Sequence, residues 1–352
     1  MIFDDIKENR DRFLSGKFNC IPFNLERFSA YAPGIIRGNF DCFTASSSIG
    51  KTTVAKFLYV FSAIDFAIEH KLDLNIIYFA LEESEQQFDY SLLSYLAKKK
   101  LDIRYNIVEF EAFNSAIPEK DMTKLEGLTE LFNTYKSYIK VVDNVYNSYG
   151  LYVTVRDFAR ERGTFYMNET LLTTDNLIKN ESWNRYVPKN PEEFVIVLTD
   201  HVSEMHTSKE DATLFDAIAS WTKYQRHYIC KRFNYNCCAI QQQMASQESL
   251  DNFKLNKLVP SLQGLADNKL TGRSYLNVYG VFAPDRHDIK SYLDYDTSPY
   301  FRTVHVIKQR YGHVGAKLPV FFDGKTGYMR TMPKVDNVAE VQKVYKYIET
   351  LS

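Results

Sequence analysis

Asn39-Phe-Asp-Cys-Phe-Thr-Ala45-Ser-Ser-Ser-Ile-Gly50-Lys51-Thr52-Thr53-Val54 is the stretch whose reading decides the fold. Asn39 to Thr44 reads as a strand. Thr53 to Glu69 carries Val54, Phe57, Leu58, Phe61, Ile64, Phe66 and Ile68 at mainly helical intervals. Between them, Ala45 to Thr52 reads as a phosphate-binding loop with alanine in place of the usual first glycine. A tight turn entering a helix N-terminus aims several backbone N–H groups and the positive end of the helix dipole at one point. Triphosphate oxygens suit that point. The candidate binding set is Ala45, Ser46, Ser47, Ser48, Ile49, Gly50, Lys51, Thr52 and Thr53, with Lys51 reaching the outer phosphates and the Thr52 hydroxyl ligating Mg²⁺. A serine-rich turn ahead of a core helix would share the composition, but not the order strand, loop, Gly-Lys-Thr, helix.

Outward from the loop, strand-like and helix-like segments alternate. Asn75–Leu81, Tyr138–Val142, Phe194–Leu198 and Cys237–Ile240 are short apolar runs of the kind that parallel strands bury on both faces. Helical patterns cover 3–15, 85–100, 153–162 and 212–233. Leu101 to Lys136 mixes short helices and turns. Tyr275–Phe282, Thr303–Ile307 and Leu318–Phe322 add C-terminal strands. The expected fold is therefore α/β, one mainly parallel sheet with right-handed crossovers. Residues 164–193 are polar and Asn-rich, and read as an irregular insertion. No internal repeat is evident.

The totals are consistent with this. The 352 residues are 45% hydrophobic and 15% aromatic, ample for a sizeable core, and a net charge of −1 argues against a surface coated for duplex DNA. Five cysteines without a spaced framework suggest reduced thiols, with Cys237-Cys238 in the core. No apolar run reaches about 18 residues, and the charged N-terminus looks like neither a signal nor a transit peptide. A soluble, cytoplasmic protein without membrane contact is expected.

Ligands of open α/β sheets bind beyond the C-terminal ends of strands. Three further residues stand at such ends. Asp200, closing Phe194–Leu198 after Thr199, has the form of a Walker B carboxylate that holds the metal. Glu82 could deprotonate the attacking water, with Glu83 as its rival. Gln242 could sense the γ-phosphate, although Gln241 and Gln243 flank it. Further on, Lys308-Gln-Arg310-Tyr-Gly312-His-Val-Gly315 places two cations at i and i+2, which point the same way on a strand. Such a pair could offset transition-state charge on a phosphate.

In this order the features resemble the RecA-like ATPase domain of DnaB-type replicative helicases. The likeness covers roughly residues 20–330. It starts at Ile21-Pro22-Phe23-Asn24-Leu25 and Pro33-Gly34, and takes in the alanine-first loop. Leu81-Glu82 is similar to the motif carrying the catalytic glutamate, and Asp200-His201-Val202 to the Walker B ending. Cys238 to Gln242 is similar to the strand of the sensor glutamine, and Lys308-Gln309-Arg310 with Gly312 and Gly315 to the finger. The resemblance implies ATP and Mg²⁺ as ligands, with Glu82, Gln242, Lys308 and Arg310 as catalytic residues. It further implies a homo-hexameric ring whose finger acts in trans on the neighbour's nucleotide, and single-stranded DNA in the central channel. Residues 1–20 would hold the family's linker helix, and 21–352 the ATPase domain.

The chain also departs from the family. The resemblance does not take in the family's N-terminal collar domain, so the primase and loader contacts it carries in the family are not expected from these residues. Ala266 stands where the family has arginine, and Thr271-Gly-Arg-Ser-Tyr275 replaces an acidic run. Candidate DNA contacts are Lys209, Lys254 and Lys257, on the loops after Asp200 and Gln242. The leading expectation is a helicase moving on single-stranded DNA in replication. Its alternatives are a RecA-like ATPase of recombination or repair, and a structural or regulatory ATPase subunit; a small-molecule kinase fits less well. The Tyr-, Asn- and Lys-rich composition suggests a phage-encoded protein working in the bacterial cytoplasm.

Overall fold

A single nine-stranded sheet organises the computed structural model, which describes residues 2–168, 170–172, 183–208, 211–255 and 257–351. In chain order the strands are β1 (Phe40–Ala45), β2 (Leu74–Ala80), β3 (Ile139–Val142), β4 (Phe194–Asp200) and β5 (Asn236–Gln242), followed by β6 (Asn277–Phe282), β7 (Phe301–Lys308), β8 (Lys317–Asp323) and β9 (Tyr328–Thr331). Across the sheet they run β9-β8-β7-β6-β1-β5-β4-β2-β3. From β6 to β3 all neighbours are parallel, while β7, β8 and β9 add an antiparallel edge. This is the expected α/β arrangement.

The apolar runs follow from burial on both faces. Along β2, Ile76, Tyr78 and Ala80 enter one core while Ile77, Phe79 and the following Leu81 enter the other. Strict alternation of side chains sends successive residues of one strand into opposite layers. The first layer is led by α2, a continuous helical rod built of Lys51–Lys56, a π-helical stretch at Phe57–Phe61, and Ser62–His70. It also holds α3 (Glu85–Leu101), which opens on a capping box between Ser84 and Gln87. The second layer is led by α4 (Ser148–Arg162) and α5 (Leu214–Tyr224). Cys237 and Cys238 are buried, and all five thiols are free.

Two regions differ from the sequence reading. The segment read as an irregular insertion holds Gly163–Met167, Thr170–Leu171 and Arg185–Pro188, paired antiparallel as a small sheet. Phe165, Trp183 and Tyr186 from it pack on Phe233 and Tyr235. Three buried aromatics there outweigh the polar composition. Residues 169 and 173–182 lie outside the described residues. At the C-terminus, α6 (Val338–Glu349) was not anticipated; it lays Val341, Val344 and Ile348 into a third cluster with Tyr295, Phe301, Phe321 and Met332. The N-terminal helix, Ile2–Leu14 (α1), buries none of its residues and is tethered by Arg12 to Glu192 at 2.6 and 2.8 Å. Among the described residues no helix is long and apolar enough to cross a membrane.

Candidate nucleotide site

Parallel registration places four strand ends together. Ala45 at the end of β1 lies opposite Gln242 at the end of β5, and Asp200 at the end of β4 lies opposite Ala80 of β2. The loop 45–53, Glu82, Asp200 and Gln242 therefore share the C-terminal edge of the sheet, where such folds bind ligands.

The loop itself is held under strain. Ser48 has φ 58° and Gly50 φ 97°, both left-handed. A Cβ on Gly50 would lie 2.6 Å from Cζ of Phe322, so only glycine fits. Two arginines brace the turn from outside: Arg286 Nη1 donates to the Ser47 carbonyl at 2.5 Å, and Arg302 Nε to that of Ile49 at 3.2 Å. Arg302 is itself buried, paired with Asp285 at 3.1 Å and lying 5.1 Å over the Phe322 ring. Ala45, Ser46 and Ile49 are buried, whereas Ser47 and Ser48 are exposed.

Lys51 opens α2 and is 7% exposed, yet among the described residues its ammonium has no hydrogen bond or ion pair with the protein. A cation drawn this far from water without a partner is costly, and a phosphate is the counter-charge it suits. Lys56, one turn on, is by contrast fully engaged, donating to both oxygens of Glu83 at 2.9 and 3.0 Å and to Ser91 at 3.2 Å. Thr52 Oγ1 donates to Asp200 Oδ1 at 2.9 Å, so the two expected Mg²⁺ ligands already meet. Paired hard oxygens of this kind fit that ion. The phenol of Tyr78 sits 2.8 Å from Asp200 Oδ2 and 2.7 Å from Glu83 Oε1. Burial pushes the Asp200 carboxyl above its ordinary value, against the pull of Lys56.

The two glutamates separate cleanly. Both oxygens of Glu83 are committed to Lys56, and Oε1 also to Tyr78. Glu82 is 41% exposed and touches His201 Nε2 at 2.7 Å. That hydrogen bond, helped by the charge of Lys51, holds the Glu82 carboxyl below the usual glutamate range and so ionised at neutral pH. The three glutamines separate as well. Gln241 donates to the carbonyls of Ala266 and Asn268 and accepts from Thr271 and Tyr275. Gln243 donates to Thr44 Oγ1 and the Ser261 carbonyl. Gln242, half-buried between them, has no side-chain hydrogen bond among the described residues.

The expected finger is arranged differently from a strand pair. β7 ends at Lys308, so Arg310 lies in the turn beyond and the i, i+2 alignment does not apply. The Lys308 ammonium donates to the carbonyls of Tyr275 at 2.6 Å and Gly272 at 2.8 Å, capping the short helix Thr271–Ser274 of its own chain. Arg310 is exposed; its backbone N–H is held by Asn277 Oδ1 at 3.2 Å, and its guanidinium lies 5.9 Å from the Tyr311 ring. Of the DNA candidates, Lys254 and Lys257 are exposed on the segment after Gln242. Lys209 lies outside the described residues. Beside the loop, a cavity of about 410 Å³ is lined by Thr53, Glu82, Glu83, Tyr90 and Lys325 among others.

Sequence reasoning missed Tyr78, Arg302 and Phe322. A hydroxyl in the otherwise apolar Asn75–Leu81 run was a signal for Tyr78, but its meaning needs the registration with Asp200. Arg302 and Phe322 reach the loop only through the folding of distant strands, and no local pattern marks them.

The sheet order and its helical layers define a RecA-like α/β fold. Among solved structures it is similar to a DnaB-like replicative helicase determined for its interactions with primase, with TM-score 0.66 and 16% identity over 94% of this chain. The chain spans 66% of that protein's length. It is equally similar to a second solved structure, an ATPase domain determined by itself, with TM-score 0.66 and 16% identity over 95% of this chain and 99% of that domain. The fold is thus that of DnaB-type RecA-like domains. No protein-family model matches the chain, and no curated protein matches it by sequence.

Proposed function

We propose that this protein is an ATP-driven ring motor of the DnaB type, hydrolysing ATP between subunits while moving on single-stranded DNA. The observation that carries the reading is the meeting of unpartnered Lys51, the Thr52–Asp200 pair and ionised Glu82 at one sheet edge. In this reading the loop amides and Lys51 hold the phosphates, and the neighbouring cavity takes the remainder of the nucleotide. Thr52 and Asp200 would hold Mg²⁺, which supplies charge neutralisation to the outer phosphates. Glu82 accepts the proton of the attacking water, and Gln242 is free to respond to the γ-phosphate. Arg310 extends to the neighbouring subunit's nucleotide, whereas Lys308 supports the finger from within its own chain.

Assembly is supported by the N-terminal helix, which exposes Ile2, Phe3, Ile6 and Phe13. A nearly all-apolar cavity of about 330 Å³, lined by Leu93, Phe110, Leu125 and Phe132 among others, offers such a helix a seat on a neighbour. Lys254 and Lys257 supply charge to DNA phosphates, so affinity should fall as salt rises. The test is ATP hydrolysis with and without single-stranded DNA, alongside native mass. Stimulation by DNA in a closed oligomer, lost in Lys51→Ala, is expected. Hydrolysis indifferent to DNA would favour a regulatory ATPase subunit, and open-ended polymers a recombination-type protein.

A further inference from the structure

His201 follows Asp200 directly, and the nucleotide chemistry outlined above gives it no task. Its side chain is nearly inaccessible, 3% exposed, and faces the catalytic edge from the buried side. The ring's hydrogen bonds fix its tautomer. Nδ1 accepts the backbone N–H of Ser203 at 3.2 Å, opening the short turn Val202–Glu204, so that nitrogen carries no proton. The proton of the neutral ring therefore sits on Nε2, 2.7 Å from Glu82 Oε1. Glu204 Oε1, at 3.9 Å from Nε2, is too far to compete for it.

Glu82 needs such a contact. It lies just past the end of β2, in the short connection to α3, and is 41% exposed. Left alone, its three side-chain torsions would carry the carboxylate through many positions. Among the described residues His201 alone is in polar contact with its carboxylate, and that contact, at 2.7 Å, engages Oε1. Oε2 stays open to accept a proton. We propose that His201 is a positioning residue for the hydrolytic step: its Nε2–H grips one oxygen of Glu82 and thereby aims the other at the attacking water. The inference rests on the reading of Glu82 as the base. It ties the base and the metal-binding aspartate together through a single peptide link, so that both are placed by the end of β4.

Two substitutions separate aiming from folding. In His201→Asn the amide oxygen lies near the place of Nδ1 and still receives the Ser203 N–H, but nothing reaches Glu82. In His201→Gln the amide nitrogen lies near the place of Nε2 and still reaches Glu82, but the Ser203 contact is lost. Misplacement of a reacting group by about 1 Å can cost on the order of 100-fold in rate. We expect His201→Asn to lower kcat by roughly 10- to 100-fold, leaving KM and ADP affinity near those of the unaltered protein. His201→Gln should recover most of that loss. In a Glu82→Ala background, His201→Asn should have no further effect. A protein whose hydrolysis is abolished by Lys51→Ala yet unchanged by His201→Asn would overturn the positioning role alone. A raised kcat would do the same, since the contact would then be a restraint. An unaltered protein that hydrolyses no ATP, with or without DNA, would remove both this inference and the reading beneath it.

Discussion

Replacing Gly50 by alanine tests the geometry of the proposed phosphate cradle most directly. Two separate costs are read from the structure. An L-residue at φ 97° occupies a sparsely populated region, a penalty on the order of 1–3 kcal/mol. The added methyl would also lie 2.6 Å from Phe322 Cζ and 3.3 and 3.4 Å from its two Cε atoms, and forcing extra volume into a packed site costs about 1–3 kcal/mol. The sum is roughly 2–6 kcal/mol. Phe322→Leu removes the offending ring edge, so in that background Gly50→Ala should retain only the backbone part. The double-mutant cycle then yields a coupling of about 1–3 kcal/mol. Urea unfolding midpoints of the four proteins measure it, and calorimetry with ADP shows whether the displaced loop also loses ligand. Equal costs of Gly50→Ala in the two backgrounds would refute the argument that Phe322 packs against the turn. No cost in either would refute the left-handed geometry itself.

Arg310→Ala should preserve nucleotide binding while removing most hydrolysis in the assembled state; mixing it with Lys51→Ala should partly restore turnover if the arginine acts across the interface, and an inert mixture would count against that. Phe3→Glu should shift native mass from the assembled form toward monomer without lowering ADP affinity, whereas an unchanged oligomer would show that the N-terminal helix is no part of the contact. His305 is buried beside Thr303 Oγ1 at 2.8 Å, and burial, assisted by Lys317, pulls its imidazole down to about 3. The folded chain therefore takes up this proton less readily than the unfolded one, so its contribution to stability is present above about pH 6.5 and is lost as pH falls toward 3, by at most about 5 kcal/mol. His305→Gln should unfold at lower pH than the unaltered protein, and an identical acid midpoint would contradict the burial argument.

The parallel half of the sheet was legible because each strand is a short apolar run ended by a polar residue, and the strand–loop–helix at 40–70 because its residues are contiguous. Asp200 and Glu82 could be placed at the edge that carries the loop for the same reason: a strand end is a local signal. Choosing among Gln241, Gln242 and Gln243 was beyond local pattern, since the outcome depends on Thr44, Ser261 and Tyr275, which lie far away in the chain. Lys308 shows the opposite difficulty. Its motif is visible, but its ammonium is held by carbonyls of residues 272 and 275, and no spacing rule reports a tertiary contact. The small sheet at 163–188 was hidden because its few buried aromatics are diluted among polar neighbours, and α6 because its apolar stripe of Val341, Val344 and Ile348 is narrow.

The paired anchoring of Gln241 and Gln243 has a mechanical consequence. One grips the stretch from 266 to 275 and the other Ser261, so the free amide of Gln242 stands on a platform riveted at two points to the long excursion 244–275. A displacement at that tip would pass first to Ser261 and to the stretch 266–275, the two places its flanking amides hold.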